Sequence, residues 1–229
     1  MMDLTPYYNK FGQEVVDKAI EKLNYKEVTT MPKSENPNFP IIYIFRHGQS
    51  EDNAEMIFSG WRDAKLTEKG IKQALDLAQI LKDKKIDYLI SSDQIRAMDT
   101  LRNAVSLNEK AKNLEIHTDK RIRERSYGDL QGTSKLELFL QDEKLCNEYR
   151  RSYTKRANNG ESLEDVVSRV ADFINELLPM VREKQINVAI SCHGNSIRGF
   201  RKYFENLTPE EVSKIETPLG SDYIAYNVK

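Results

Sequence analysis

Apolar residues run without a break through Ile41-Ile42-Tyr43-Ile44-Phe45 and stop at Arg46-His47-Gly48. A run with no polar alternation predicts a strand buried on both faces, and its basic, glycine-marked end delivers an imidazole to the mouth of a sheet. Open α/β sheets place their chemistry there. The phrase recurs downstream, where Asn187-Val188-Ala189-Ile190-Ser191 runs into Cys192-His193-Gly194. Two strand ends each present a His-Gly, and one pocket can hold both.

The remaining pattern alternates strands and helices. Thr67 caps a predicted helix whose apolar face is Ile71, Ala74, Leu75, Ala78 and Leu81. A strand at Tyr88–Ser92 precedes a helix over 94–107 with Arg96 in its first turn, where a cation opposes the helix dipole unless an anion is nearby. Leu114–His117 reads as a short strand, 121–132 as a charged, glycine-punctuated loop, 136–146 as a helix, and the stretch around Arg150-Arg151 as polar and mobile. Ser162-Leu163-Glu164-Asp165 resembles a capping box opening a helix with Leu163, Val166, Val167, Val170, Phe173, Ile174 and Leu177 on one side, which Pro179 is expected to end or kink. A helix from about Ser196, a short helix after Thr208-Pro209 and a strand over 223–228 complete the chain. The expected fold is α/β: three layers, with a mostly parallel, doubly wound sheet and helices on both faces.

Residues 1–40 stand apart as an N-terminal extension to a domain over 41–229. Val15, Val16, Ala19, Ile20 and Leu23 fall at helical spacing, and Pro32, Pro37 and Pro40 make an extended connection. The helix is expected to pack on its own domain; docking on a second subunit, in a homo-oligomer, is the alternative.

Composition narrows the function. With 35 basic and 36 acidic residues among 229, the net charge of −1 gives no global field for nucleic acid or membrane, so any anion site is built locally. No stretch approaches the roughly 20 apolar residues of a membrane span, and the N-terminus lacks the pattern of a secretory signal. Cys146 and Cys192 form neither a disulfide framework nor a zinc-binding spacing, so the expected compartment is the reduced cytoplasm.

The strand-end residues suit one chemistry. Phosphoryl transfer needs a nucleophile in line with the leaving oxygen and positive donors around the equatorial oxygens. A neutral imidazole, His47, can be the nucleophile, with Arg46 and Arg96 as the clamp. A leaving alkoxide needs a proton, and Glu124 is the carboxylate of the loop Arg121-Ile122-Arg123-Glu124-Arg125. Cys192 reads as a small buried residue beneath the site, His117 as structural or exposed, and Phe200, Tyr203 and Phe204 as packing aromatics.

Arg46-His47-Gly48-Gln49-Ser50 with Asn53, Phe58-Ser59-Gly60-Trp61-Arg62-Asp63-Ala64-Lys65-Leu66-Thr67, Arg96-Ala97, Glu124-Arg125-Ser126-Tyr127-Gly128 and the second His193-Gly194-Asn195 follow in the order of a known signature. Over about 41–228 the chain resembles the histidine phosphatase superfamily, and within it the cofactor-dependent phosphoglycerate mutases. The resemblance implies that His47 carries the phosphoryl group, that Glu124 moves the proton, that His193 joins Arg46 and Arg96 in the phosphoryl clamp, and that Ser50, Asn53, Ser59, Gly60, Tyr127, Lys135, Arg150, Arg151, Gly194 and Asn195 line the substrate pocket. It implies interconversion of 3- and 2-phosphoglycerate, a step of glycolysis and gluconeogenesis, primed by 2,3-bisphosphoglycerate. It implies no metal, since arginine and histidine supply the positive charge, and small phosphorylated metabolites as the partners.

Four departures bear on this. Asp52 stands where typical mutases have Trp, Gln49 where they have Glu, and Tyr149 where they often have Trp. The path from Arg151 to Glu161 is short, leaving less chain to exclude water. A histidine phosphatase of broad specificity is therefore the alternative, and a non-catalytic phospholigand-binding module is a third reading, opposed by the intact His47, Glu124 and His193.

Overall fold

The computed structural model describes residues 2–24 and 27–229. Its elements are α1 (Thr5–Phe11), α2 (Gln13–Asn24), β1 (Ile41–Arg46), α3 (Glu51–Ala54), α4 (Glu68–Leu81), β2 (Tyr88–Ser91), α5 (Ile95–Ala104), β3 (Ile116–Thr118), α6 (Lys135–Gln141), α7 (Glu143–Arg151), α8 (Leu163–Lys184), β4 (Val188–Cys192), α9 (Gly194–Glu205), α10 (Pro209–Lys214) and β5 (Ile224–Asn227). The strands form one sheet in the order β3-β2-β4-β1-β5. β1, β2, β3 and β4 pair in parallel, and β5 closes the edge antiparallel to β1.

Alternation along the strands divides the core into two layers. Ile42 and Ile44 face Val170, Ile174, Ile197 and Phe200 of α8 and α9, whereas Ile41, Tyr43 and Phe45 face Leu77, Leu81 and Leu101 of α4 and α5. This two-sided burial is why the strands read as unbroken apolar runs. The register sets Arg46 opposite Cys192, and the His47 N–H donates to the Cys192 carbonyl at 3.0 Å. The two strands thus end together, and both His-Gly phrases emerge side by side at the carboxyl edge.

Local differences from the expected elements have physical causes. Thr67 caps α4 as expected, but Leu77 replaces Ile71 and Leu75 on the buried face, and the latter two are exposed. The predicted helix over 136–146 is two helices, broken at Asp142, whose side chain caps the second by accepting from the Leu145 N–H. Arg150 and Arg151 lie in the last turn of that second helix. The capping box of Ser162 and Asp165 starts α8, and the helix runs through Pro179 to Lys184. Leu178 and Val181 stay buried on either side of the lost hydrogen bond, and their packing carries the helix past it.

The N-terminal helices lie against the same domain. α2 buries Val16, Ala19 and Leu23 against Phe58, Leu136, Phe139 and Cys146, while Val15 points outward. Lys22 bonds Glu143 at the start of α7. Beyond the helix, Thr29 and Glu216 exchange two hydrogen bonds, the Thr29 N–H to the Glu216 carbonyl at 3.1 Å and the Glu216 N–H to the Thr29 hydroxyl at 3.0 Å. Pro32 and Ser34 then bracket Ala225 of β5.

The contact between α8 and α9 is close enough to need a glycine. A Cβ on Gly199 would stand 2.8 Å from Val170 Cβ. Gly199→Ala is therefore expected to destabilise the chain by about 1–3 kcal/mol through overpacking, measured by urea unfolding, and Val170→Ala in the same chain to recover part of that loss. Simple additivity of the two substitutions would show that the contact is not the cause.

Candidate active site

The carboxyl edge of β1 and β4 opens into a cavity of about 550 Å³. His47 sits at its base, almost wholly buried, with Nδ1 2.6 Å from the Gly48 carbonyl oxygen. A carbonyl can only accept, so the proton is on Nδ1 and the lone pair is on Nε2. Arg96 donates Nε–H toward that lone pair at 3.3 Å. The close turn here needs glycine at position 48, since a Cβ would lie 2.3 Å from the Gly70 carbonyl oxygen.

Arg96 is fixed from below. Its Nη1 donates to the Arg62 carbonyl and Nη2 to the Gly60 carbonyl, at 2.8 and 3.0 Å. Burial pushes its pKa down to about 10, which still leaves it charged at neutral pH. Arg46 donates Nη1–H to the Thr217 carbonyl at 2.9 Å, and its buried Nε–H has no hydrogen-bond partner among the described residues. The hydroxyl of Ser59, which also lines the cavity, is likewise unpartnered. Both are donors suited to a ligand oxygen.

His193 lies behind this layer rather than on the cavity wall. Its ring is 5.0 Å from that of His47, and Nε2 is 2.7 Å from Ser92 Oγ. Burial, then the charges of Arg96 and its neighbours, hold its pKa well below the ordinary histidine value, so it is neutral. Cys192 beneath it is fully buried, and burial raises the thiol pKa far above the range in which a thiolate could act.

Glu124 faces the cavity from the loop after β3. Burial alone would raise its pKa. The Arg125 N–H at 2.7 Å, the Asn195 amide at 2.7 Å and the charges of Arg46 and Arg96 outweigh this and hold the carboxyl below its ordinary value. It stands ionised, ready to accept a proton. Asn195 and Gly194 begin α9, where helix N–H groups favour an anion.

A second group of cations lines the same cavity. Lys135 donates Nζ–H to the Ile57 carbonyl at 2.6 Å, and burial with Arg150 nearby pushes its pKa down to about 7. Arg150 donates to the Leu23 carbonyl at 3.4 Å, and burial and Arg151 lower its pKa. Arg198 donates to the Ile215 carbonyl from Nε and Nη2, at 3.0 and 2.8 Å.

The sequence profile of the histidine phosphatase superfamily (branch 1) matches residues 42–225. The chain belongs to the histidine phosphatase superfamily. Among curated relatives of this superfamily member, the 2,3-bisphosphoglycerate-dependent phosphoglycerate mutase of Cytophaga hutchinsonii is 35% identical, over 80% of this chain and 85% of that protein. The enzyme of the same name from Bartonella henselae is 37% identical over 78% and 88%. In structure, a mycobacterial glucosyl-3-phosphoglycerate phosphatase is similar at a TM-score of 0.71 with 26% identity, covering 81% of this chain and 92% of that one. Sequence relatives named as mutases and a structural neighbour named as a phosphatase share one histidine phosphatase fold.

Most of the residues singled out from sequence meet in this cavity: Arg46, His47, Arg96 and Glu124, together with Lys135, Arg150 and Arg151, and Asn53, Ser59, Gly60, Tyr127, Gly194 and Asn195. Ser50 does not reach it. Its side chain is fully buried and caps α3 by accepting the Asn53 N–H, so it shapes the turn after His47 instead of touching a ligand. Asp52 does more than fill the place of an aromatic, being a buried carboxylate 3.3 Å from Arg62 Nε, on the residue whose carbonyl anchors Arg96. Sequence reasoning missed Leu23, Asn24, Arg198 and Glu216, which also line the cavity. Arg198 follows the His193-Gly194-Asn195 phrase by one helical turn and could have been found from that spacing; the others come from segments without a motif.

The Lys135 pKa of about 7 gives a pH test. Its charge is present below that value and lost above it, and an anion binds the charged form. Inhibition by sulfate, whose own charge is constant in this range, is expected to be strongest below pH 7 and to weaken by up to about tenfold per pH unit above it. Lys135→Gln should flatten that slope, and an equally steep profile in the variant would exclude Lys135 as its source.

Proposed function

We propose that the chain is a phosphoglycerate mutase that interconverts 3- and 2-phosphoglycerate and is primed by 2,3-bisphosphoglycerate. The observation that carries this reading is the continuity of one cavity. The nucleophile His47 and its clamp share it with a further cationic group of Lys135, Arg150, Arg151 and Arg198. A simple phosphate ester needs only the first. An acceptor with a second anionic group, such as phosphoglycerate, uses both, and the unpartnered Arg46 Nε–H and Ser59 hydroxyl suit the oxygens of a bisphosphate donor. The curated relatives named as mutases support the same reading.

The residues define the steps. His47 Nε2 takes the phosphoryl group from the donor, with Arg46, Arg96 and the start of α9 holding the equatorial oxygens. In discharge the Nε2–P bond breaks as the acceptor hydroxyl oxygen forms its bond to phosphorus, and Glu124 takes the hydroxyl proton. When the other phosphate of the resulting bisphosphate returns to His47, Glu124 hands the proton to the departing oxygen. Neutral His193, bonded to Ser92 and packed against His47, keeps the ring in place without adding a competing positive charge at the nucleophile.

A second reading, a phosphatase that passes the group to water, has the mycobacterial structural neighbour in its favour. The two diverge in the acceptor alone. A single coupled reaction following 2-phosphoglycerate and free phosphate, with and without the bisphosphate, separates them. Isomer formation stimulated by the bisphosphate and exceeding phosphate release is expected; phosphate release without isomer exchange would overturn the mutase. His47→Ala should lower either activity on the order of 10⁴-fold or more, and Glu124→Gln on the order of 10²–10⁴-fold. Because Glu124 serves both directions, Glu124→Gln should slow the loading of His47 by the bisphosphate as well as its discharge.

A further inference from the structure

Most of the cations named above are held by main-chain carbonyls: Arg46 by Thr217, Arg96 by Gly60 and Arg62, Lys135 by Ile57, Arg150 by Leu23. A carbonyl orients a cation and leaves its net charge for a ligand. Arg151 is held differently. It donates Nη1–H to the carboxylate of Glu216, which also stands 3.5 Å from Arg198. A formal negative charge thus sits inside the cationic group that the phosphoglycerate acceptor would use.

Three further observations bear on this carboxylate. It is largely buried, with 15% of its side chain exposed, so solvent screens the pair weakly. Its backbone is fixed on both sides by Thr29, part of the N-terminal arm that lies outside the matched family region of 42–225. Finally, Arg151 and Glu216 line not only the main cavity but also a second hollow, bordered by Tyr153, Ser213 and Lys214. The Arg151–Glu216 pair is part of the wall between the two.

We propose that Glu216, pinned by Thr29, is a specificity-determining residue that competes with the ligand's own carboxylate for Arg151. A ligand carboxylate approaching Arg151 meets a like charge, and its affinity is reduced by the cost of parting the pair. A ligand without a carboxylate has no reason to part it. The N-terminal arm thereby sets how strongly the site favours acidic phosphate esters over neutral ones. This inference rests on the reading that the acceptor carries a second anionic group, but its test needs no turnover.

Equilibrium binding of 3-phosphoglycerate and of glycerol 3-phosphate, which lacks the carboxylate, is measured by calorimetry on the full-length unphosphorylated protein, its Glu216→Gln variant and its Thr29→Val variant. Gln keeps the size and a carbonyl acceptor but removes the charge. Glu216→Gln is expected to tighten 3-phosphoglycerate by about fivefold or more relative to glycerol 3-phosphate, and Thr29→Val to shift the same ratio in the same direction by less. An unchanged or reduced ratio, or equal tightening of both ligands, overturns the proposal. If Glu216→Gln does not fold, the ratio in Thr29→Val decides. A raised ratio without isomerisation of phosphoglycerate would leave the competition intact and count against the mutase alone.

Discussion

The site depends on keeping several cations charged in a place where burial works against charge. Arg96 and Arg198 each have a pKa pushed down to about 10, and Lys135 one pushed down to about 7, with burial the first cause in every case. Pairing each with a carboxylate would relieve that cost and cancel the field that an anion needs. The chain instead aims backbone carbonyls at them, from Gly60, Arg62, Thr217, Ile215 and Ile57, although Arg198 also lies 3.5 Å from the Glu216 carboxylate. A carbonyl dipole offsets part of the desolvation and leaves the full unit of charge. Loops rich in special backbone geometry are the natural source of such carbonyls. Gly60, with φ of +50°, turns its carbonyl toward Arg96 in a conformation that a side chain would also block by striking Gln131.

The same field arranges the proton chemistry. His47 is fixed in one tautomer by the Gly48 carbonyl, so Nε2 faces Arg96 and the cavity. His193 is kept neutral by burial and by the surrounding arginines. Glu124, in contrast, is held ionised because its hydrogen bonds and the arginine charges together exceed the cost of its burial. A bound phosphoryl group opposes that balance, since its negative charge neutralises the arginines that stabilise the carboxylate. Glu124 is thus a base in the free site and shifts toward an acid when phosphate sits beside it, which is the change of role that both directions of phosphoryl transfer require.

How much of this was legible in the sequence follows from the range of the interactions. The sheet and its two histidines were readable because unbroken apolar strands and His-Gly ends are local signals, and the parallel register of β1 with β4 converts two separate phrases into one site. Thr67 and the Ser162–Asp165 box marked helix starts for the same reason. The misplaced residues reflect longer-range effects. Ile71 and Leu75 fit an apolar stripe, but the sheet takes Leu77 and leaves both exposed, because a helical stripe read from one sequence has no fixed rotation. Ser50 carries the right residue type at the right distance from His47, yet capping α3 takes its hydroxyl out of the cavity. Nothing local announces Glu216, Leu23 or Thr29, whose roles arise from contacts between segments nearly two hundred or more than one hundred residues apart.

The N-terminal arm shows how an element outside the family region can enter the site without adding a reactive group. α2 is held by ordinary apolar packing on Phe58, Leu136, Phe139 and Cys146, and this packing fixes where its last carbonyls point. Leu23, at that end, accepts from Arg150; Thr29, just past it, grips the backbone of Glu216, which in turn holds Arg151. Each arginine of the pair therefore finds an acceptor that the arm supplies or positions, one neutral and one charged. The neutral one leaves Arg150 available at little cost, whereas the charged one must be displaced. Two adjacent residues of one helical turn are thus given unequal access to a ligand, by partners that lie far from them in sequence.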